Sequence, residues 1–454
     1  MKVNIPTTFI IFGATGALSQ RKLFPALFDL YRKSLLPDKF HILAFSRQEL
    51  DTASFAAIVE KNISDGEEKS HFLGHIEFFK GDYSKDSFLH LADRIKAIED
   101  RYGQCANKLY HLAVPPDAFE DIFMLISAAE LSRPCSDTEG WARILVEKPF
   151  GKDSATAERL DRLLGELFRE EQVYRIDHYL AKEALQNILA FRAYNPMFMP
   201  LWNKDHIEKV EIELFETGTA EGRAGFYDSI GALRDVGQNH MLQMAALVGM
   251  EVPLTLETEP IRAGRQAVLE ALSPKTWQKI TSHASRGQYE GYTADVRVSE
   301  SETETYFELT VFIDSKRWKN VPFILKSGKA LAEDKAEIKI FFKKDGAGKQ
   351  NILRFRIQPD EAIRVLFWFK KPGFDRTIES KELTFKYHDS TEAQKLPDAY
   401  ERVLHDCVNG DQTLFASTGE VMASWKFITP VIQAWQSLPL HVYKKGSEGP
   451  NSES

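Results

Sequence analysis

A chain of 454 residues is longer than one hydrophobic core requires, and its 43% apolar composition is sufficient for two, so we expect two globular domains. The formal net charge of −8 argues against a nucleic-acid surface, which needs clustered Lys and Arg. The sequence contains no apolar run long enough to span a membrane and begins without a signal-peptide pattern, so we expect a cytoplasmic protein that binds no membrane.

The cysteines of the sequence are Cys105, Cys135 and Cys407, which lie far apart without Cys-x-x-Cys or Cys/His spacing. An odd number with such spacing predicts neither a disulfide framework nor structural zinc. We therefore predict no disulfide and no metal site.

The first part of the chain alternates between strand and helix patterns. An apolar run at residues 8–12 precedes Gly13 and a helical pattern. The elements predicted after them are strands at 41–45, 76–80, 108–114 and 143–146 and helices near 52–62, 84–101 and 117–131. This order predicts an α/β domain, a Rossmann-type doubly wound parallel sheet with helices on both faces, and we assign residues 1–175 to dinucleotide binding.

Beyond residue 175, strands follow one another with few helices between them. The predicted strands lie at about 207–215, 304–313, 336–342, 352–357, 362–369 and 382–387, and the predicted helices at about 178–193, 230–248, 395–408 and 419–436. This succession predicts an α+β domain over residues 176–454, with a mainly antiparallel sheet covered by helices. We expect this larger domain to bind the substrate and to form a homo-oligomer, a dimer or tetramer.

A glycine-containing turn at residues 13–19, GATGALS, connects the first strand to its helix. Gly13, Ala14, Thr15 and Gly16 occupy the turn where a dinucleotide-binding fold brings its backbone close to a pyrophosphate. We therefore predict a cofactor site here. The match lacks a third glycine, and an ordinary tight turn is the alternative.

The end of the second strand bears on the choice of cofactor. An Asp or Glu there would bind a ribose 2′-hydroxyl and repel a 2′-phosphate, but this chain has Ser46 and Arg47. A hydroxyl and a guanidinium favour the 2′-phosphate, so we predict NADP rather than NAD. A solvated surface arginine is the alternative interpretation of Arg47.

Lys148 and Pro149 follow an apolar strand in the segment EKPFG. Ligands of doubly wound folds bind at the carboxyl ends of the strands, so Lys148 is expected to reach the nicotinamide end of the cofactor or the substrate. An ordinary strand-end turn is the alternative.

Residues 175–183, RIDHYLAKE, predict a helix start with Asp177 near the N-cap. In a helix, His178 and Lys182 would share a face because they are four residues apart. Together with Tyr179 this face offers donors and positive charge for a phosphate. An exposed helix with solvated charges is the alternative.

His240 is the best candidate for a general base. It lies in a polar segment, residues 235–244, near the start of a predicted amphipathic helix. An imidazole with an unperturbed pKa near ~6.5 accepts a proton at neutral pH, and Asp177 is available to hold its tautomer. A structural histidine at a helix start is the alternative.

Taken together, these segments resemble the glucose-6-phosphate dehydrogenase family. The similarity runs from residues 13–16 to residues 443–446, and residues 175–183 are similar to the family's nine-residue motif with one small residue changed. The other segments that are similar in order and spacing are 147–151, 234–240 and 327–331.

The resemblance implies oxidation of glucose 6-phosphate at C1 to a phosphogluconolactone, the first oxidative step of the pentose phosphate pathway, with hydride transfer to NADP. It implies that His240 takes the C1 hydroxyl proton and that Asp177 orients His240. It further implies that the sugar phosphate is bound by His178, Tyr179 and Lys182, and that the sugar hydroxyls are contacted by Glu216, Asp235 and Lys329. The space between cofactor and substrate would be occupied by Lys22 and Lys148. The 2′-phosphate of the cofactor would be bound by Ser46 and Arg47.

Four positions depart from the family pattern. Ala17 stands where the family usually has Asp, Ala181 where it has Gly, and His111 where it often has Tyr. Asp334 stands where members carry a basic residue directed at the sugar, so sugar affinity or choice is expected to differ unless the adjacent Lys335 compensates.

Two other functions stay open. The wider group of NADP-linked sugar oxidoreductases shares a dinucleotide domain and a comparable strand-end turn, and the phosphate-binding residues distinguish the two. An NADP-binding sensor with decayed catalysis takes support from Ala17 and Asp334, whereas the pair Asp177 and His240 argues against it.

Overall fold

The computed structural model describes residues 5–135, 140–273, 283–387 and 396–450. The chain divides into two compact units. The first unit comprises Met1–Gly151, Ala155–Ala181 and Pro397–Thr418, and the second comprises Lys152–Ser154, Lys182–Leu396 and Gly419–Ser454. A late segment of the chain therefore belongs to the first unit.

The strands and helices within the described ranges have the following bounds. The strands are β1 Thr7–Phe12, β2 Phe40–Ser46, β3 Ile76–Lys80, β4 Asn107–Leu112, β5 Ala142–Val146, β6 Val173–Ile176, β7 Ile207–Phe215, β8 Leu272–Ser273, β9 Ala284–Tyr289, β10 Tyr306–Ile313, β11 Phe323–Gly328, β12 Lys335–Phe342, β13 Ile352–Gln358, β14 Ala362–Lys370, β15 Ile378–Lys386, β16 Phe415–Ala416 and β17 Leu440–Tyr443. The α-helices are α1 Phe24–Arg32, α2 Thr52–Glu60, α3 Lys69–Leu73, α4 Lys85–Tyr102, α5 Phe119–Ala128, α6 Ser154–Leu167, α7 Glu183–Tyr194, α8 Ala224–Tyr227, α9 Leu242–Gly249, α10 Thr258–Glu270, α11 Tyr292–Val296, α12 Ala399–Asn409 and α13 Thr418–Trp435. Two π-helical segments span Ser19–Leu23 and Leu233–Met241. No described helix combines the length and the apolar character needed to cross a membrane.

A seven-stranded sheet forms the centre of the first unit, in the order β16-β6-β5-β4-β1-β2-β3. Strands β1 to β6 pair in parallel, and β16 is antiparallel to β6. Every residue of β1 and of β4 is buried, as expected for central parallel strands that are covered on both faces. The predicted α/β architecture is confirmed.

A ten-stranded sheet forms the centre of the second unit, with β15-β14-β13-β12-β7-β11-β10-β9-β17 as its main path and β8 paired with β10. Most neighbours are antiparallel, whereas β7 with β11 and β9 with β17 are parallel. Burial alternates along β13, so one face of this strand packs into the core. The predicted α+β architecture is confirmed. The sequence patterns missed several elements of the whole chain, among them β6, β9, β11, α6 and α10.

The helix predicted from residue 178 is wrong at its start, because the preceding segment continues the sheet. Strand β6 pairs with β5 and ends at Ile176, and α7 begins only at Glu183. Asp177 closes a turn between them, since its Oδ1 accepts the Tyr179 amide at 3.0 Å and its carbonyl accepts the Leu180 amide at 3.0 Å. The predicted common helical face of His178 and Lys182 is therefore also wrong.

Two other predictions need comment. Cys105 and Cys135 form a disulfide, with Cα atoms 6.2 Å apart, so the expectation of no disulfide is wrong. They meet because they lie beside the adjacent starts of β4 and β5, a proximity that sequence spacing does not reveal. Residue 395 of the predicted helix 395–408 lies outside the described residues, and α12 begins at Ala399.

Candidate active site

The turn after β1 is shaped by a close backbone approach. The amides of Gly13 and Ala14 both donate to the Phe45 carbonyl at 3.1 Å, and the Gly16 amide donates to the Gly13 carbonyl at 2.9 Å. Gly13 has φ +79°, and a Cβ there would lie 2.3 Å from the carbonyl oxygen of Ala113. Glycine is therefore required at this position for both its backbone conformation and the available space.

The end of β2 lies against the same turn. The hydroxyls of Thr15 and Ser46 are 2.9 Å apart, so the two predicted cofactor residues meet. Arg47 is exposed, and its guanidinium carbon lies 5.7 Å from the centre of the Tyr83 ring. Ser46 and Arg47 therefore lie at the end of β2, where Ser46 contacts the glycine turn, and their predicted contact with a 2′-phosphate stays a prediction.

Lys22 and Lys148 have different surroundings within the first unit. Lys22 forms an ion pair with Asp398 at 3.3 Å, and both side chains are about half exposed. Lys148 is partly exposed after β5 and precedes a cis peptide bond to Pro149. The predicted placement of these lysines between cofactor and substrate stays a prediction.

A buried polar cluster beside Lys148 was missed by sequence reasoning. Glu147 Oε1 lies 3.0 Å from Nε2 of His111, and the Tyr400 hydroxyl donates to Glu147 Oε2 at 3.5 Å. Burial and the Glu147 carboxylate raise the pKa of Tyr400, which keeps the phenol protonated. The segment EKPFG indicated this region, but no sequence feature connects it with residue 400.

Asp177 is buried in the turn described above, followed by the partly exposed His178 and the buried Tyr179. The two rings lie with centres 5.0 Å apart. A rigid turn at the end of β6 therefore presents an imidazole and a phenol together. Lys182, in the second unit, bonds through its ammonium to the Gln358 side chain.

Asp235 and His240 lie in the π-helical segment Leu233–Met241, which continues into α9. Only 8% and 1% of their surfaces are exposed. Asn239 braces the segment, because its side-chain amide donates to the Asp235 carbonyl at 3.0 Å and its side-chain oxygen accepts the His240 amide at 2.6 Å. Single π-helical turns inside helices are frequent at functional sites.

Glu216 and Lys329 form an ion pair at one edge of the ten-stranded sheet. They follow the parallel strands β7 and β11, whose last residues Phe215 and Gly328 are in register. The Glu216 amide donates to the Gly328 carbonyl at 2.9 Å, so the backbone joins these two strand ends directly. The structure thus brings two predicted sugar-binding residues together.

Asp334 turns its carboxylate toward the residue after Glu216. Its two oxygens accept the amide and the hydroxyl of Thr217, each at 2.8 Å. Lys335, which was expected to compensate for the missing basic residue, forms ion pairs with Glu213 at 3.0 Å and Glu333 at 2.7 Å. Both Asp334 and Lys335 are therefore engaged within the protein.

The predicted site residues fall into groups that the structure brings together separately. Within the first unit these are the glycine turn with Ser46 and the turn of residues 177–179, and within the second unit they are the π-helical pair and the pair Glu216 and Lys329. Asp177 and His240 belong to different units, so their pairing stays a prediction.

Comparison with known proteins agrees with this architecture. The model of the glucose-6-phosphate dehydrogenase NAD binding domain matches residues 10–187, and the model of the C-terminal domain of the same enzymes matches residues 189–454. This chain belongs to the glucose-6-phosphate dehydrogenase family.

Individual relatives are similar over nearly the whole chain. A cytoplasmic glucose-6-phosphate 1-dehydrogenase of Arabidopsis thaliana is 39% identical, over 98% of this chain and 89% of its own length. A solved glucose-6-phosphate dehydrogenase in complex with glucose 6-phosphate has a TM-score of 0.92 and 33% identity, covering 100% of this chain and 97% of its own. A levoglucosan dehydrogenase, 9% identical with a TM-score of 0.55 over 94% of this chain and 97% of its own, shares the fold alone.

The glycine turn supports a first prediction. Gly13→Ala should lower the midpoint of thermal unfolding and weaken NADP binding at least about tenfold, because the added Cβ displaces the turn from Ala113. Gly103→Ala is the matched control, since Gly103 has φ +68° but no atom near its Cβ position. The control should lose only about 1 kcal/mol and keep its cofactor affinity. Calorimetry and cofactor titration measure both, and equal losses in both variants would contradict the steric account.

Proposed function

We propose that this protein oxidises D-glucose 6-phosphate at C1 to 6-phospho-D-glucono-1,5-lactone with NADP, as an enzyme of the pentose phosphate pathway. Its membership of the family supports this reaction. The single observation that carries the substrate assignment is the similarity to the solved enzyme in complex with glucose 6-phosphate, at a TM-score of 0.92 and 33% identity. The direct test is the appearance of reduced cofactor with glucose 6-phosphate and with glucose, each with NADP and with NAD.

The residues of the first unit fit NADP. Gly13 lets the turn after β1 pack tightly against the Ala113 backbone, and Ser46 and Arg47 offer a hydroxyl and a cation for the 2′-phosphate. When bound, NADP supplies the acceptor for the hydride from C1. We assign Gly13, Ala14, Thr15, Gly16, Ser46 and Arg47, with Lys22, Lys148 and Pro149, to the cofactor site. The division into cofactor binding by residues 1–175 and substrate binding by residues 176–454 belongs to the same proposal.

The substrate is held at its two ends by different chemistry. His178, Tyr179 and Lys182 supply donors and positive charge for the phosphate. Glu216, Asp235 and Lys329 supply acceptors and a donor for the sugar hydroxyls, and Lys148 contributes from the end of β5. Hydroxyl groups that pair with charged partners fix the sugar more strongly than neutral contacts would.

His240 removes the proton from the C1 hydroxyl, and Asp177 holds the imidazole in the tautomer that accepts it. The burial of His240 excludes bulk water from this proton transfer. Asn239 fixes the backbone of the segment, so the imidazole is placed before the substrate arrives.

Replacement of the base is the second prediction. His240→Asn should lower kcat by roughly 10²-fold or more while cofactor affinity stays unchanged, since the amide accepts no proton in this step. Steady-state kinetics and cofactor titration measure the two quantities. His206→Asn, an exposed histidine of the same unit, is the control and should keep full activity. A variant at position 240 with undiminished kcat would remove His240 from the mechanism.

Phosphate recognition gives the third prediction. Lys182→Ala should raise the KM for glucose 6-phosphate by at least about tenfold and change kcat/KM for glucose little. The reason is that glucose lacks the phosphate with which the Lys182 ammonium is proposed to pair. The exposed Lys344→Ala is the control. Equal losses for both sugars would favour an oxidoreductase of unphosphorylated sugars.

An exposed apolar face on the outer strands of the ten-stranded sheet supports the proposed homo-oligomer. Leu383 and Phe385 of β15 lie opposite Val365 and Ile363 of β14 and are 60% and 55% exposed. Contiguous apolar surface beside a terminal strand marks an association surface. A second copy of this chain is the proposed partner, and the cytoplasm is the proposed location, as in the named Arabidopsis relative.

The fourth prediction follows from that face. Leu383→Lys should shift the mass measured by light scattering after gel filtration from a dimer or tetramer toward the 51.8 kDa monomer, because a charge would be buried in the contact. Lys386→Glu is the control, because it changes a charge on the same strand but on the opposite face. A wild-type protein that elutes as a monomer at all concentrations would contradict the proposal.

A further inference from the structure

Tyr227 is a fully buried tyrosine beside the predicted sugar-binding groups. It ends α8, and none of its surface is exposed. Its hydroxyl has no hydrogen-bond partner among the described residues. A buried hydroxyl without a hydrogen-bond partner lowers the stability of the folded protein. We therefore expect the ring of Tyr227 to make a compensating contact.

The ring of Tyr227 faces a cation. The ammonium nitrogen of Lys329 lies 5.3 Å from the centre of the ring. This distance is within the range of cation–π attraction, and the attraction is strongest where water is excluded. Only 12% of the Lys329 side chain is exposed, which meets that condition.

Lys329 is fixed at its other end by its backbone. Its amide donates to the Thr305 carbonyl at 2.9 Å, and its carbonyl accepts the Tyr443 hydroxyl at 2.7 Å. The ammonium itself bonds to Glu216. The lysine side chain has a flexible four-carbon stem, so these contacts at its two ends do not fix the path of the stem between them. The side chains that pack against the stem therefore determine its conformation.

The electrostatic surroundings place Tyr227 near the other predicted sugar-binding groups. Burial raises the pKa of Tyr227, and the carboxylates of Asp235, Glu304 and Glu216 raise it further. The negative charges of Asp235 and Glu216 near a neutral ring favour a cation over that ring. The surroundings thus agree with the contact to Lys329.

We propose that Tyr227 is a positioning residue, whose ring holds the Lys329 ammonium beside Glu216 in the orientation that binds the sugar hydroxyls. The proposal rests on the proposed function, because it assigns Lys329 to the sugar. Tyr227 acts on the substrate through Lys329 and takes no part in the proton transfer. Its ring, and not its hydroxyl, carries the effect.

The fifth prediction tests the ring. Tyr227→Leu should raise the KM for glucose 6-phosphate by about tenfold and change kcat and the KM for NADP less than about twofold, as expected for loss of a desolvated cation–π contact. Tyr227→Phe keeps the ring and should stay within about twofold of the wild-type KM. A rise in KM for Tyr227→Phe equal to that of Tyr227→Leu would overturn the role of the ring.

Phe323→Leu separates a positioning role from a structural one. Phe323 is also fully buried and starts β11, the strand that leads to Lys329, but its ring contacts Trp318 instead of a cation. This variant should lose thermal stability comparable to that of Tyr227→Leu and keep the wild-type KM. If both variants raise the KM equally, the effect is structural and the proposal fails.

A double-mutant cycle identifies Lys329 as the intermediary. Lys329→Met should raise the KM for glucose 6-phosphate, and Tyr227→Leu should add nothing to it in that background. Additive effects would overturn the proposal, because Tyr227 would then act independently of Lys329. If Lys329→Met leaves the KM unchanged, the assignment of Lys329 to the sugar fails. If Lys329→Met raises the KM and Tyr227→Leu does not, only the positioning role of Tyr227 fails.

Discussion

The arrangement of the second unit depends on the parallel pairing of β7 with β11. Strand β7 lies inside the ten-stranded sheet, antiparallel to β12 on one side and parallel to β11 on the other. Parallel strands end at the same edge, so Glu216 and Lys329 meet although 113 residues separate them in sequence. A slip of one residue would turn one of these side chains to the opposite face, so the apolar face of the sheet also fixes the polar pair.

The ion pairs of this unit differ widely in exposure. Arg265 and Glu420 form a pair with no exposed side-chain surface, and removal of one partner from such a pair typically costs about 3–5 kcal/mol. Glu216 keeps 39% of its side chain exposed while Lys329 keeps 12%. A pair of this second kind keeps polar atoms in contact with solvent, because its desolvation is incomplete.

Much of the fold was predictable from local patterns. The strands predicted at 76–80 and 207–215 agree with β3 and β7. In both segments the apolar residues that indicate a strand are also the residues that the fold buries. The start of α7 was not predictable, since the spacing of His178 and Lys182 satisfies helical periodicity equally well. Pairing of β6 with β5 and the turn at Asp177 override that local pattern. Tertiary pairing is decided by residues far away in sequence, which a local window does not contain.

The site was predictable only in part, for a related reason. Residue types and motifs indicated His240 and Asp235. The π-helical conformation of their segment depends on tertiary packing, so the spacing of apolar residues in the sequence does not predict it. Tyr227 lies in no sequence motif. Its contact with Lys329 depends on the tertiary structure that joins the ends of β7 and β11, so the sequence alone does not predict it.

Asp334 shows most clearly what a resemblance leaves undecided. The family pattern places a basic residue there, whereas the carboxylate in this chain accepts two hydrogen bonds from Thr217 and so fixes the residue next to Glu216. Lys335 is held by Glu213 and Glu333, so its charge is already balanced where the structure describes it. In the proposed function, the contact with the sugar at these strand ends is therefore assigned to Glu216 and Lys329 and not to Lys335.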